Sequence, residues 1–127
     1  MGRMIFPNLP VKDVPRTVEF WTRLGFEFNH EFSSPEAACL VINEQASVML
    51  LSERFFHGFH DTAGHTGTEV LMGLGVESRE EVDRLCDAAA ANGGSADPER
   101  TGQGSMYGGC FRDLDGHIWE PLWMATS

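Results

Sequence analysis

The chain has 127 residues, enough for one domain with a real core and too few for two ordinary ones. With 42% hydrophobic and 22% charged residues it has a globular balance, and no run of about 18 apolar residues suggests a membrane span. The formal net charge of −10 argues against nucleic acid and anionic lipid as partners and mildly favours a cationic ligand.

The opening "MGRMIFPNLPVKD" lacks the apolar core and cleavage site of a signal peptide, and position 6 is Phe6 where a myristoylation signal needs Ser or Thr. The expected location is cytoplasmic. Cys39, Cys86 and Cys110 are odd in number and far apart, which is neither a disulfide framework nor a CxxC site. Each reads as a small buried hydrophobe, and no base stands near Cys110 in sequence.

The first strand is expected over 3–11, with Ile5, Leu9 and Val11 on one face and Phe6, Asn8 and Pro10 on the other. A helix follows over 13–25. Asp13 caps it, Pro15 suits its first turn, Val14, Val18, Trp21 and Leu24 recur at helical spacing, and Gly25 stops it. Strands are expected at 26–32, 37–43 and 47–52, with a hairpin turn at 43–45. The stretch 53–67 reads as a linker with one helical turn and holds His57, His60 and His65.

The pattern then begins again. Residues 68–76 alternate, with Val70, Met72, Leu74 and Val76 opposite Glu69, Leu71, Gly73 and Gly75. Residues 78–94 form a helix opened by a Ser78–Glu81 capping box and ended by Gly93-Gly94. Strands are expected at about 95–100, 105–113 and 117–124, with "DLDG" (113–116) as the turn between the last two. The order is βαβββ twice: module one about 3–52, a linker about 53–67 and module two about 68–124. The expected fold class is α+β, with the paired modules forming a curled mixed sheet whose helix-free faces enclose a cavity. In the last strand Trp119, Pro121 and Trp123 suit a helix-packed face. Ile118, Glu120 and Leu122 then face the cavity.

Three stretches carry a family likeness: "NLPVKDVPRTVEFWTRLGFEF", "GVESREEVDRLCDAAAANGG" and "FRDLDGHIWEPLW". Through them nearly the whole chain resembles the vicinal oxygen chelate superfamily, the group of glyoxalase I, bleomycin-resistance proteins, fosfomycin-resistance proteins and extradiol dioxygenases. "NLPVKD" with "MYGGCFRDLDGHIWE" is similar to the bacterial subgroup labelled predicted lactoylglutathione lyases. The resemblance implies a glyoxalase/bleomycin-resistance-like fold, a small-molecule ligand and a homodimer.

It also implies, in the superfamily's enzymes, a metal held by His or Glu from strands of both halves. The matching positions here are Phe6, Leu50 or Leu51 (with Glu53 the nearest carboxylate), Leu71 and Glu120. Only Glu120 is a ligand type, and a divalent ion needs roughly three protein ligands. The expectation is a metal-free pocket lined by Phe6, Asn8, Leu71, Tyr107, Ile118 and Glu120, with no cofactor. The alternative is a metal-dependent lyase, isomerase or dioxygenase with an altered site drawn from Glu120, Glu69 and Glu53. A third reading makes Glu120 the general base of a metal-free enzyme. His57 and His60 meet on a helical turn but lack close Cys or carboxylate partners, and His117 belongs to the turn or the helix side. Gly104, Gly108 and Gly109 suggest close backbone approach or a mobile loop. "GQGSMYGG" has no Lys and is no phosphate loop, and no GxSxG is present.

Overall fold

The computed structural model describes residues 3, 5–59, 69–102 and 104–125. The chain divides into two compact units, Met1–Thr66 and Gly67–Ser127. No described helix is long and apolar enough to cross a membrane.

Unit one contains β1 (Asn8–Val11), α1 (Val14–Arg23), β2 (Glu27–Phe28), a 3₁₀ turn (His30–Phe32), β3 (Ala37–Asn43), β4 (Ala46–Ser52) and α2 (Glu53–His57). Its sheet runs β1-β4-β3-β2, with β1 parallel to β4 and the other pairs antiparallel. α1 starts where the sequence places it. The Asp13 side chain accepts the Arg16 N–H at 3.0 Å, and Gly25 (φ 97°) takes the chain out of the helix. Its inner stripe, Val14, Phe20, Trp21 and Leu24, is buried. Leu9 and Val11, Ala38 and Leu40, and Val48 and Leu50 are buried on three neighbouring strands. Each of the Leu and Val side chains among these contributes about 1.5–3 kcal/mol.

Unit two contains β5 (Met72–Val76), α3 (Arg79–Ala91), β6 (Ser95–Ala96), β7 (Met106–Gly108), β8 (Phe111–Arg112) and β9 (Ile118–Met124). The sheet order is β5-β9-β8-β6, with β7 also paired to β9 and β5 running parallel to it. The Ser78 hydroxyl accepts the Glu81 N–H at 3.1 Å, completing one arm of the capping box, and the Glu81 carboxylate accepts from the Glu77 N–H at 3.4 Å.

The expectation of one curled mixed sheet around a cavity is corrected by the strand pairings. Two open sheets form, and neither closes on itself. The physical reason lies at the edges. β2 and β6 are two residues long, too short to carry a ladder around to the first strand of their own sheet. Strand bounds also shift. β1 begins at Asn8, after the backbone carbonyl of Phe6 has accepted the Asn8 side-chain amide at 2.7 Å. The strand expected over 26–32 turns into the 3₁₀ turn after Phe28, where the Asn29 side chain accepts the Glu31 N–H. The strand expected over 105–113 splits at Gly109-Cys110. His60, His65 and the start of the expected 68–76 strand lie wholly or partly outside the described residues.

The "DLDG" turn is built around Asp113. This carboxylate is 4% exposed. One oxygen accepts from the Asp115 and His117 N–H groups, and the other from the indole N–H of buried Trp119 at 3.0 Å. Gly116, at φ 83°, completes the reversal. Burial raises the Asp113 pKa above its ordinary value, against the lowering effects of His117 and these hydrogen bonds. At Gly109 the backbone passes so close to α3 that an added Cβ would stand 2.8 Å from Cys86 Sγ and 3.1 Å from Val82 Cγ1.

Two outcomes are expected. Asp113→Ala strands a buried indole N–H and two turn amides and lowers stability by about 3 kcal/mol, read from urea denaturation. Because the folded state binds the Asp113 proton more tightly than the unfolded state, this residue's contribution falls as pH rises from 3.8 through the folded value. The gap between parent and Asp113→Ala therefore widens as pH is lowered from neutral toward 4; a gap that narrows contradicts the assignment. Gly109→Ala overpacks α3 against the segment between β7 and β8 and costs about 1–3 kcal/mol in the same assay.

Candidate functional site

The pleat decides what each residue of β9 faces. Trp119 and Pro121 are buried and Trp123 is half-buried. Trp119 stacks on Phe111, and Trp123 lies under the Arg79 guanidinium of α3 at 4.8 Å. That face belongs to the helix. Ile118, Glu120, Leu122 and Met124 therefore point to the other side.

The register of the neighbours completes the helix-free face. On one side of β9, Gly73 stands opposite Glu120 and Gly75 opposite Leu122. On the other side, Gly108 stands opposite Leu122 and Arg112 opposite Ile118. The break between β7 and β8 does not shift this register. Gly109 N–H still reaches the Pro121 carbonyl at 3.0 Å, so Cys110 falls opposite Glu120. Gly109 faces Cys86 and Val82 of α3, and the alternation turns the Cys110 side chain the other way.

The face thus has a row Gly73–Glu120–Cys110 and a row Gly75–Leu122–Gly108. Arg112 and Ile118 flank them at one end, Met106 and Met124 at the other. Met106 is 42% exposed and Met124 58%. A Cβ placed on Gly73 or Gly75 would meet nothing within 4 Å, and neither glycine has positive φ. Neither backbone conformation nor crowding calls for glycine at these two positions, and a strand interior loses stability by having it. Glu120 is half-buried, and among the described residues no donor or cation pairs with its carboxylate. The Arg112 guanidinium donates to the Gly116 carbonyl at 3.0 Å. Burial, and after it the negative charge of Glu120, pushes the Cys110 thiol up from its ordinary value while Arg112 opposes. Cys110 is thus held as a neutral thiol at physiological pH, beside an anion.

The other residues singled out in the sequence fall as follows. Tyr107 stands opposite Trp123 on the helix-bearing face, and its hydroxyl donates to Asp83 of α3 at 2.9 Å. Asp83 also accepts from Arg100 at 2.7 Å, and these two bonds, Arg100 first, hold its carboxyl below the ordinary value. Leu71, 55% exposed, precedes β5. Glu69 is exposed three residues before that strand. Phe6 is 49% exposed ahead of β1, and the Asn8 amide is bonded to its carbonyl. Glu53 opens α2 on the surface, and His57 closes it with its ring edge-on to Phe56. His117 contributes its backbone N–H to Asp113.

The alternatives Leu50 and Leu51 separate by register. Leu51 pairs with Pro10 and shares the Asn8 face, whereas Leu50 pairs with Leu9 on the face of buried Val11, Val48 and Leu40. The four positions at which the resemblance expects metal ligands are thus Phe6, Leu51, Leu71 and Glu120. Three of these side chains have no lone pair to offer, so the donor set does not fit a divalent ion. Among the described residues no group of three His, Cys, Asp or Glu is placed to hold a metal.

Sequence reasoning missed the pairing of Cys110 with Glu120. The hairpin is centred on Asp115, one half-residue beyond the centre of "DLDG", and its register carried through Gly109 brings 110 and 120 together. It also missed Asp113 as a buried carboxylate, whose signal is an Asx residue two positions before a turn amide.

Known structures share this fold. A hypothetical protein from S. aureus is 31% identical, with a TM-score of 0.81 over 97% of this chain and 94% of its own. A glyoxalase/bleomycin resistance protein/dioxygenase family enzyme from Burkholderia phytofirmans PsJN also reaches 0.81, at 16% identity over 94% and 97% of the two chains. A protein from Pseudomonas aeruginosa gives 0.68 at 22% identity over 97% and 98%. No curated protein matches at a significant level. The sequence profile of one superfamily matches residues 3–120, from ahead of β1 to the third residue of β9, and on that match the chain belongs to the Glyoxalase/Bleomycin resistance protein/Dioxygenase superfamily.

Proposed function

We propose that the chain binds a small molecule on the helix-free face of the second sheet, with Glu120 as its polar anchor and without a divalent ion. The observation that carries this reading is the half-buried Glu120 carboxylate, without a partner among the described residues, beside two strand glycines that face open space. A carboxylate on an apolar face needs a donor, and glycines that nothing in the unit requires leave room for one to approach the backbone. Ile118, Leu122, Met106 and Met124 supply the apolar walls. The finer likeness to predicted lactoylglutathione lyases would make the chain a metalloenzyme. Phe6, Leu51 and Leu71 speak against that, because none of them can ligate a metal.

Calorimetric titration of the tag-free protein with Ni²⁺, Zn²⁺, Mn²⁺ and Fe²⁺, alongside Glu120→Ala, tests the metal-free part. No binding up to millimolar metal is expected. Tight stoichiometric binding that Glu120→Ala abolishes would sink this reading and replace it with a metalloenzyme at an altered site. The glycines test the location. Gly73→Ala and Gly75→Ala are expected to leave stability unchanged or raise it by about 0.5–1 kcal/mol in urea denaturation, while weakening aromatic fragments in ligand-observed NMR. Fragments that bind both variants as they bind the parent chain would move the site off this face.

A further inference from the structure

We infer that Cys110 is a specificity-determining residue of this face: as the uncharged cross-strand neighbour of Glu120 it leaves the carboxylate uncompensated, so that the ligand group received there is a cation or a strong N–H donor on a flat apolar body. The inference rests on the binding reading above and adds the chemical class of the ligand.

The geometry carries it in three steps. First, Cys110 lies in the break between β7 and β8, where the register on either side places it opposite Glu120 on the helix-free face. Side chains so placed have Cβ atoms about 4.5–5.5 Å apart, the position from which a Lys or Arg would neutralise a carboxylate. A thiol occupies it instead. Second, the other cross-strand neighbour of Glu120 is Gly73, which has no side chain to offer a charge. Third, the diagonal cation, Arg112, is bonded to the Gly116 carbonyl of the turn. A sheet position with a thiol on one side and glycine on the other presents its charge to whatever lies above it. What lies there meets an open floor of Gly73 and Gly75, bounded by the Leu122 side chain, which stands over Gly108. A planar ring can lie on such a floor where a branched body cannot. The chain's net charge of −10 favours the same sign of ligand at longer range.

The test uses three probes of one shape, benzamidinium, benzamide and benzoate, titrated into the ¹⁵N-labelled full chain. Benzamidinium is expected to shift the amides of Gly73, Gly75, Cys110 and Glu120, at least tenfold more tightly than benzamide, with benzoate inert there. Cys110→Ala keeps this order, because it leaves Glu120 equally exposed. Cys110→Arg places a guanidinium opposite Glu120 and is expected to weaken benzamidinium at least tenfold while the remaining amide spectrum stays dispersed. Glu120→Gln is expected to level benzamidinium with benzamide. Equal binding of all three probes on this face, or an unchanged benzamidinium affinity in a folded Cys110→Arg, overturns the inference and leaves the binding reading standing. If none of the three shifts these amides, the binding reading falls with it.

Discussion

The turn carboxylate of Asp113 is the interaction on which the second unit depends. With one oxygen it closes the reversal between β8 and β9, and with the other it holds the indole of Trp119, the second residue of β9. That bond pins the phase of the strand. Trp119 is fixed toward α3, Pro121 and Trp123 follow it, and the pleat sends Glu120 to the opposite side. A slip of one residue would bury the carboxylate under the helix and expose two tryptophans, so the register is protected from both sides. The burial of Asp113 has a cost, visible in its raised pKa, and the four-residue reversal requires a group that accepts three hydrogen bonds.

The same register governs the strands beside β9. The segment 106–112 is two short strands by hydrogen bonding and one continuous partner by phase. Gly109 makes this possible, because its missing side chain lets the backbone run against Cys86 and Val82 without bending away. The Arg100–Asp83–Tyr107 contacts and the Arg79 guanidinium between Tyr107 and Trp123 bind that segment to α3 on the outer side. The helix-bearing face is therefore fully engaged in holding the unit together. The helix-free face is where chain stability makes few demands, and there Glu120, Cys110 and the glycines sit.

Much of this was legible in the sequence. Asp13, Pro15 and Gly25 mark the first helix, and Ser78 with Glu81 the second, because caps act locally and need no tertiary context. The alternation of "HIWEPLW" separates Glu120 from the tryptophans for the same reason. Strand ends and sheet closure were not legible. Whether 26–32 continues as a strand depends on a local Asn29 turn competing with pairing to β3, and whether a sheet curls shut depends on edge lengths that only pairing reveals. Tyr107 shows the limit most plainly. Its neighbourhood of glycines suggested a residue lining the pocket, but its face is set by the partner strand, and its hydroxyl reaches an aspartate 24 residues away on a helix. Leu50 and Leu51 are adjacent in sequence and opposite in space, and no composition argument could choose between them.

The placement of β5 has a consequence for dynamics. Among the described residues it is an edge strand paired to β9 alone, and two of its five residues are glycine. Such a strand has the most backbone freedom to lose and the fewest side-chain contacts to hold it, so it belongs to the low-stability end of the unit's local opening spectrum. A molecule lying across Gly73 and Gly75 rests on an edge of the sheet that is prone to open. Occupancy and amide protection of β5 are then thermodynamically linked. A ligand bound there as proposed would also clamp its own floor, and part of its affinity would be spent on ordering that strand.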